Sequence, residues 1–350
     1  RLKMEIKINN QKIGKKFKPY IIAELSANHG GSIEEAKKTI LLAKESGASA
    51  VKIQSYTPST MTIDCKKDDF QIKQGLWKGY NLFELYQKSY TPFEWHKDLF
   101  KYAKDIGISI FSTPFDETAV ELLEKLNTPA YKIASFELVD LPLIKLIAKT
   151  NKPMLISTGM GSIKEIGDAV NVIKKNGNSK ILLLHCISSY PALTEDTNLS
   201  NITFLKNKFD CLVGLSDHTM NNIASMVSIS LGAVLIEKHF KPNNIIKSAD
   251  DSFSLLPKEF KSLVDDCNVA WKALGNKKFS RSKNERPNLK FRRSLYFVKS
   301  LKKGTIITND HIRRIRPGYG LPPKFFGSIL GKKLKTDVEY GDPVKWEFFN

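Results

Sequence analysis

No stretch of this 350-residue chain is apolar for long enough to span a membrane, which takes about 18 consecutive apolar residues. The opening residues, Arg1-Leu2-Lys3-Met4, hold no apolar signal core, so a cytoplasmic setting is expected, with Met4 a candidate initiator. Cysteine is scarce and dispersed: Cys65, Cys186, Cys211 and Cys267 include no CxxC pair, which excludes a zinc ribbon or a disulfide framework and suits reduced thiols. There is no GxGxxG after the first strand-like run; the residues there read Leu25-Ser26-Ala27-Asn28-His29-Gly30-Gly31, against a dinucleotide-binding fold. The net charge is +19, yet no basic, aromatic-laced element stands out: lysines recur along the chain, and pairs such as Lys277-Lys278 and Lys302-Lys303 read as solvated faces. Neither nucleic acid nor membrane is therefore the expected partner, and a small anionic substrate is favoured.

What the chain does contain is alternation. Strand-like runs are Tyr20–Glu24, Ala50–Gln54, Ser109–Thr113, Tyr131–Ser135, Met154–Thr158, Ile181–Cys186, Leu212–Ser216 and Val234–His239. Amphipathic stretches such as Ser32–Ser46, Pro92–Ile106, Asp116–Leu126, Leu141–Thr150 and Ile163–Lys175 separate them. Eight strands alternating with helices predict a parallel sheet closed as a (β/α)8 TIM barrel. Nearly every run ends in polar residues, as a ring at the C-terminal mouth requires. Alternation also puts Lys52 and Gln54 on one face. The barrel is expected over residues 1–280, a polar linker with Pro287 over 281–290, and a small unit of short strands and turns over 291–350. At roughly 60 residues that last unit is marginal alone.

Three strand-end lysines, Lys52, Lys132 and Lys238, are expected to share the mouth with the hydroxyls of Thr113, Ser135, Ser157 and Ser216. Clustered ammonium groups repel unless an anion joins them, which points to a substrate carrying phosphate and carboxylate. Lysines snorkelling outward, or a Schiff-base lysine, are the alternatives. His218 and His239 end consecutive strands and would be neighbours. Two imidazoles suit a divalent ion such as Mn2+, Co2+ or Zn2+ and leave positions open for water or a carbonyl. Glu24 ends the first strand, where it could serve the metal, its water or a proton, or simply pair with Lys52. Glu137 and Asp250 are further candidate substrate contacts, as is His29; His185 reads as a hydrogen-bonding wall residue.

These motifs resemble the sialic acid synthase family: Ile22-Ala23-Glu24-Leu25-Ser26-Ala27-Asn28-His29, Val51-Lys52-Ile53-Gln54, Tyr131-Lys132-Ile133-Ala134-Ser135, Ile156-Ser157-Thr158-Gly159-Met160, Gly214-Leu215-Ser216-Asp217-His218-Thr219 and Glu237-Lys238-His239-Phe240. Arg316-Pro317-Gly318-Tyr319-Gly320 and Leu330-Gly331-Lys332 resemble the antifreeze-like (SAF) domain that follows the barrel there. Gly75-Leu76-Trp77, Leu82-Phe83-Glu84-Leu85-Tyr86 and Ser135-Phe136-Glu137 are similar to the pseudaminic acid branch.

The resemblance implies condensation of phosphoenolpyruvate with 2,4-diacetamido-2,4,6-trideoxy-L-altrose and water, giving pseudaminic acid and phosphate. The alternative is a legionaminic or N-acetylneuraminic acid synthase using another N-acetylated amino sugar. By the same resemblance Lys52, Thr113, Lys132, Ser135, Ser157 and Ser216 hold phosphoenolpyruvate. His218 and His239 bind the metal (Mn2+, Mg2+ or Co2+), with Glu24 the acid nearest the chemistry. Gln54, Glu137, Tyr190, Asp250 and, from the partner chain of a domain-swapped homodimer, Arg316 contact the sugar. Ser188 departs from the Asn of sialic acid synthases, which leaves that contact with phosphoenolpyruvate in doubt.

Overall fold

The computed structural model describes residues 5–275 and 279–350. The chain divides after Gly275 into two compact units.

In the first unit, β1 (Ile6–Ile8) and β2 (Gln11–Ile13) form an antiparallel hairpin turning at Asn9, whose φ is +48°. Eight parallel strands follow: β3 (Tyr20–Glu24), β4 (Ala50–Ser55), β5 (Ser109–Pro114), β6 (Tyr131–Ile133), β7 (Met154–Ser157), β8 (Ile181–Cys186), β9 (Leu212–Asp217) and β10 (Leu235–His239). They close in sequence order, with β10 pairing back to β3. This is the expected TIM barrel.

Helices Ile33–Glu45, Phe93–Ile106, Glu117–Lys125, Leu141–Ala148 and Ile163–Lys175 lie where amphipathic periodicity put them. Ser200–Phe209, Ile223–Leu231 and Pro257–Ala273 complete the alternation after the last three strands. The starts follow local chemistry. Ser32 accepts from Glu35 N with Glu34 and Glu35 in the first turn, and Ser162 and Glu165 form a reciprocal capping box.

Alternation sorts each strand's side chains between two cores. Ile21, Ala23, Val51, Ile53, Ile133, Ile156, Leu183, Val213, Leu215 and Ile236 face the helices. Tyr20, Ile22, Ala50, Phe111, Leu155, Leu182, Leu184, Leu212 and Leu235 fill the barrel interior, joined by Ile6, Ile8 and Ile13 of the hairpin. Those interior residues belong mainly to the strand beginnings, and Asn9 donates to Ser109 Oγ (2.8 Å) at the start of β5. The hairpin therefore plugs the N-terminal end, and the polar residues are left to the other end.

One strand is shorter than its pattern suggests. β6 stops at Ile133, because a 3-10 turn over Ser135–Val139 takes over the backbone bonds. Ser135 and Glu137 consequently sit on that turn.

The second unit has its own core: Leu295, Phe297, Ile307, Ile312, Ile329, Leu334, Val338, Val344 and Phe349. Strand β11 (Ser294–Phe297) pairs antiparallel with β12 (Ile312–Ile315), and isolated bridges such as Leu301↔Val338 and Leu334↔Phe349 supply the rest of its sheet contacts. Residues 276–278 of the polar stretch, Lys277-Lys278 included, lie outside the described residues; Arg286–Phe291 forms a 3-10 turn within this unit. Cations are dense here: Arg281, Lys283, Arg286, Lys290, Arg292 and Arg293 stand against Glu285 alone over 281–293.

Candidate active site at the mouth of the barrel

Register builds the site. Cα pairing sets His239 beside Glu24 and Glu24 beside Lys52, one inward row across β10, β3 and β4. A second row runs Cys186, Ser216, Glu237 across β8, β9 and β10. Between them the side chains interlock. Lys52 Nζ lies 2.6 Å from Glu24 Oε2, 3.0 Å from Thr113 Oγ1 and 3.8 Å from Glu237 Oε1. Lys132 Nζ is also 3.8 Å from Glu237 Oε1, and Ser216 Oγ donates to that oxygen at 3.3 Å. Gln54 donates to Glu24 (3.1 Å) and to Ser26 (2.9 Å).

One expected member is placed elsewhere. Lys238 does not enter the mouth: its neighbours Glu237 and His239 face inward, so period-two alternation turns it outward. There, fully buried, it pairs with Asp217 (2.9 Å) and donates to Thr219 O and Asn221 O. The inward charge the sequence reading missed is Glu237, which the same alternation would have found. His29, in the loop after β3, takes part in none of these contacts. It is buried against Trp95 (ring centroids 5.4 Å), accepts from Gly31 N and faces Thr91. His185 is the wall residue expected, its Nε2 on Thr197 O at 2.6 Å, and the inward position next to it belongs to Cys186.

Ser135 and Ser188 meet over Gly159. A Cβ there would come within 2.7 Å of Ser135 Oγ and 2.3 Å of Ser188 Oγ, so only glycine leaves room for both hydroxyls. Ser157 ends β7 with its Oγ buried and unpartnered. Tyr190 lies over the histidine pair, 4.4 Å from the His218 ring and 6.4 Å from that of His239. Asp250 Oδ2 is 3.9 Å from His239 Nδ1. Arg316 belongs to the second unit and is exposed.

The mouth's charge balance is set by burial against pairing. Burial opposes the charge on Lys52, but Glu237 and Glu24 outweigh it and hold the ammonium above its usual range. Lys132, where burial wins over Glu237 and Lys52 adds repulsion, is pulled down. Burial pushes Glu24 up to about 6 although Lys52 pulls the other way. Glu237 is held low because Lys132 and Lys52 overcome burial. Two buried ammonium groups thus share two carboxylates, and Lys132, which has no carboxylate closer than 3.8 Å, is the less well compensated of the two.

His218 and His239 stand with ring centroids 5.5 Å apart. His218 Nδ1 donates to Ile187 O (2.8 Å), which fixes the ring and leaves Nε2 as the free nitrogen. His239 Nδ1 is buried without a hydrogen bond, and burial followed by His218 and Lys52 keeps that imidazole neutral. Among the described residues no three His, Cys, Asp or Glu groups converge as a closed metal cage. The two imidazoles are the residues that could hold a divalent ion here, and a set of two suits an open, catalytic position better than a closed, structural one.

The family model described as "NeuB family" matches residues 39–279, and a SAF domain model matches 292–350. The chain belongs to the NeuB family. A pseudaminic acid synthase of Campylobacter jejuni is 45% identical over 94% of this chain and 96% of its own. A pseudaminic acid synthase of Helicobacter pylori is 43% identical over 93% and 96%. Among solved structures, the N-acetylneuraminic acid synthetase of Leptospira borgpetersenii matches with a TM-score of 0.74 at 29% identity, covering 82% of this chain and 95% of that one.

In this NeuB-family mouth, Glu137 carries a test of its own. Burial pushes it up to about 7 from an ordinary 4.5, with Lys132 opposing, and its Oε2 has no partner. A raised carboxyl pKa destabilises the fold progressively as pH climbs from the unfolded value to the folded one. Glu137→Gln should therefore stabilise the protein at pH 8, by roughly 2–3 kcal/mol, and hardly at all at pH 4.5. Equal gaps in urea melts at both pH values would contradict this.

Proposed function

We propose that this chain condenses phosphoenolpyruvate with 2,4-diacetamido-2,4,6-trideoxy-L-altrose and water to give pseudaminic acid and phosphate, as a transferase of the cytoplasm. The observation that carries the reading is the two-part mouth: Lys52 and Lys132 with the hydroxyls of Thr113, Ser157 and Ser216 on one side, and the neutral imidazole of His239 with His218 on the other. The first half matches an anion bearing phosphate and carboxylate; the second matches a carbonyl electrophile. The near-full-length likeness to the Campylobacter and Helicobacter proteins supports the same sugar.

Lys52 and Lys132 hold phosphoenolpyruvate, and Ser135, Ser157 and Ser216 orient it; Ser188 sits close enough to Ser135 to add a contact. Gln54, Tyr190, Asp250 and Glu137 position the open-chain sugar, with Arg316 reaching in from the partner of a homodimer. His218 and His239 would hold a divalent ion, which when bound would supply Lewis acidity toward the sugar's aldehyde. C3 of phosphoenolpyruvate bonds to that aldehyde carbon, whose oxygen takes a proton and becomes a hydroxyl. Positive charge develops at C2, water adds there, and the C–O bond to phosphate breaks. Glu24, pushed up to about 6 by burial, remains ionised above neutrality and can accept the proton of that water. Fixed charges already aimed at these positions provide the largest rate term in such sites.

Phosphate release from phosphoenolpyruvate tests the proposal. Release is expected with the diacetamido-trideoxy-altrose, lost after chelation and restored by Mn2+, Mg2+ or Co2+. Release with N-acetylmannosamine or the legionaminic precursor alone would move the chain to the neighbouring branch, and chelator-resistant turnover would remove the metal.

A further inference from the structure

The connection between β4 and helix Phe93–Ile106 is far longer than a βα turn needs. It contains helices Pro58–Met61 and Leu82–Ser89, a 3-10 turn at Asp68–Phe70, and a loop closed by the Gln71↔Asn81 bridge. Ile72 N donates to Tyr80 O and Gly79 N to Ile72 O, while Gly75 and Gly79 supply the positive φ values (+79° and +95°) that let the loop reverse. Trp77 is carried at this reversal. Its indole N–H donates to Ala249 O at 2.9 Å, one residue before Asp250, and its ring lies 5.8 Å from Tyr190. Tyr190 in turn contacts His218 and, at 5.0 Å, Phe253. An aromatic row thus runs from the inserted loop to the histidine pair, while Glu24, Gln54 and Asp250 provide the polar contacts of the same mouth.

Polar groups recognise hydroxyls and amides; they gain nothing from methyl groups. The sugar assigned above carries a methyl at its deoxygenated C6 and a second acetamido methyl. Both need apolar cover, and indole and phenol rings offer it at low entropic cost. An indole serves better than a flexible aliphatic chain, because the bond to Ala249 already fixes its angle.

We infer that Trp77, backed by Tyr190, is the specificity-determining surface that receives the apolar substituents of the sugar and separates it from fully hydroxylated N-acetyl sugars. The inference rests on the proposed reaction. It does not involve phosphoenolpyruvate, whose cationic subsite is built by other strands.

Steady-state kinetics with Trp77→Ala and Trp77→Phe test it. Trp77→Ala should raise KM for the diacetamido-trideoxy-altrose about ten-fold, the scale for losing a methyl contact, with KM for phosphoenolpyruvate within about two-fold of native. Trp77→Phe keeps a ring but loses the N–H that fixes its angle; it should fall between native and Trp77→Ala. If Phe proves as damaging as Ala, the bond to Ala249 matters and the ring does not, and the inference fails. It also fails if Ala changes neither KM, or both alike. If the native enzyme releases no phosphate with this sugar, the proposed function falls first and takes the inference with it.

Discussion

Lys132→Met should lower kcat/KM for phosphoenolpyruvate by about 10²–10³-fold while moving the thermal midpoint little, because two opposed effects on stability offset each other. Both parts of this expectation turn on where the ammonium sits. Lys132 is buried, 3.8 Å from Glu237, and its nearest hydrogen bond is to Ile133 O at 3.1 Å. Burial pulls its pKa down in spite of Glu237, so without an anion the fold carries that ammonium at a cost. A Lys whose folded pKa lies below its unfolded value detracts from stability at neutral pH, and the deficit disappears only when pH exceeds both values. Removing the charge relieves that deficit and removes the attraction for substrate, while Glu237 loses one of the two ammonium groups that hold it low and keeps Lys52 at 3.8 Å. Lys132→Arg should not rescue activity, since a guanidinium is larger and planar in a site shaped for a compact ammonium. Fluorescence titration with phosphoenolpyruvate separates the cases. A variant that binds the anion normally and loses only turnover would place Lys132 outside the anion subsite.

The closed barrel was legible from alternation because β-branched runs and amphipathic helices leave periodic marks. The polar strand ends were legible for the same reason: Glu24, Lys52, Gln54, Thr113, His218 and His239 all lie at the mouth. The failures come from reading residue chemistry before geometry. Lys238 attracted the anion argument because it is a lysine, whereas its neighbours Glu237 and His239 occupy the inward positions. Cys186 was overlooked beside His185 for the same reason. The N-terminal hairpin is too short to show a period, and only its packing with Tyr20, Phe111 and Leu182 reveals what it plugs. Trp77 could be noted in a motif, but its bond to Ala249 spans 172 positions of sequence. No local pattern encodes such a contact; it follows from how an insertion folds across the barrel end.

Asp217→Ala is expected to be the most destabilising substitution among these residues, by about 3–5 kcal/mol, and to cost more than Lys238→Met. The pair is equally buried on both sides, yet its hydrogen bonds are not shared equally. Without Lys238, Asp217 still accepts from Thr219 N (2.9 Å), Thr219 Oγ1 (2.8 Å) and Ser225 Oγ (2.7 Å), so its charge remains solvated by protein. Without Asp217, the Lys238 ammonium keeps only the carbonyls of Thr219 and Asn221, the Thr219 N–H and the Ser225 hydroxyl lose their acceptor, and Thr219 Oγ1 is left with Asn221 O at 3.2 Å. An uncompensated buried cation with orphaned donors is the costlier remainder. The double variant Asp217→Ala/Lys238→Met should therefore be more stable than Asp217→Ala alone, a coupling that urea unfolding of the four proteins would measure. Additive losses would show that the two charges do not sense each other. The position of the pair gives the result a functional side. Asp217 precedes His218 and Lys238 precedes His239, so the bond behind the barrel wall fixes the two strand ends whose next residues turn toward each other across the mouth. Loss of Mn2+ affinity in Asp217→Ala, partly restored in the double variant, would follow from that geometry.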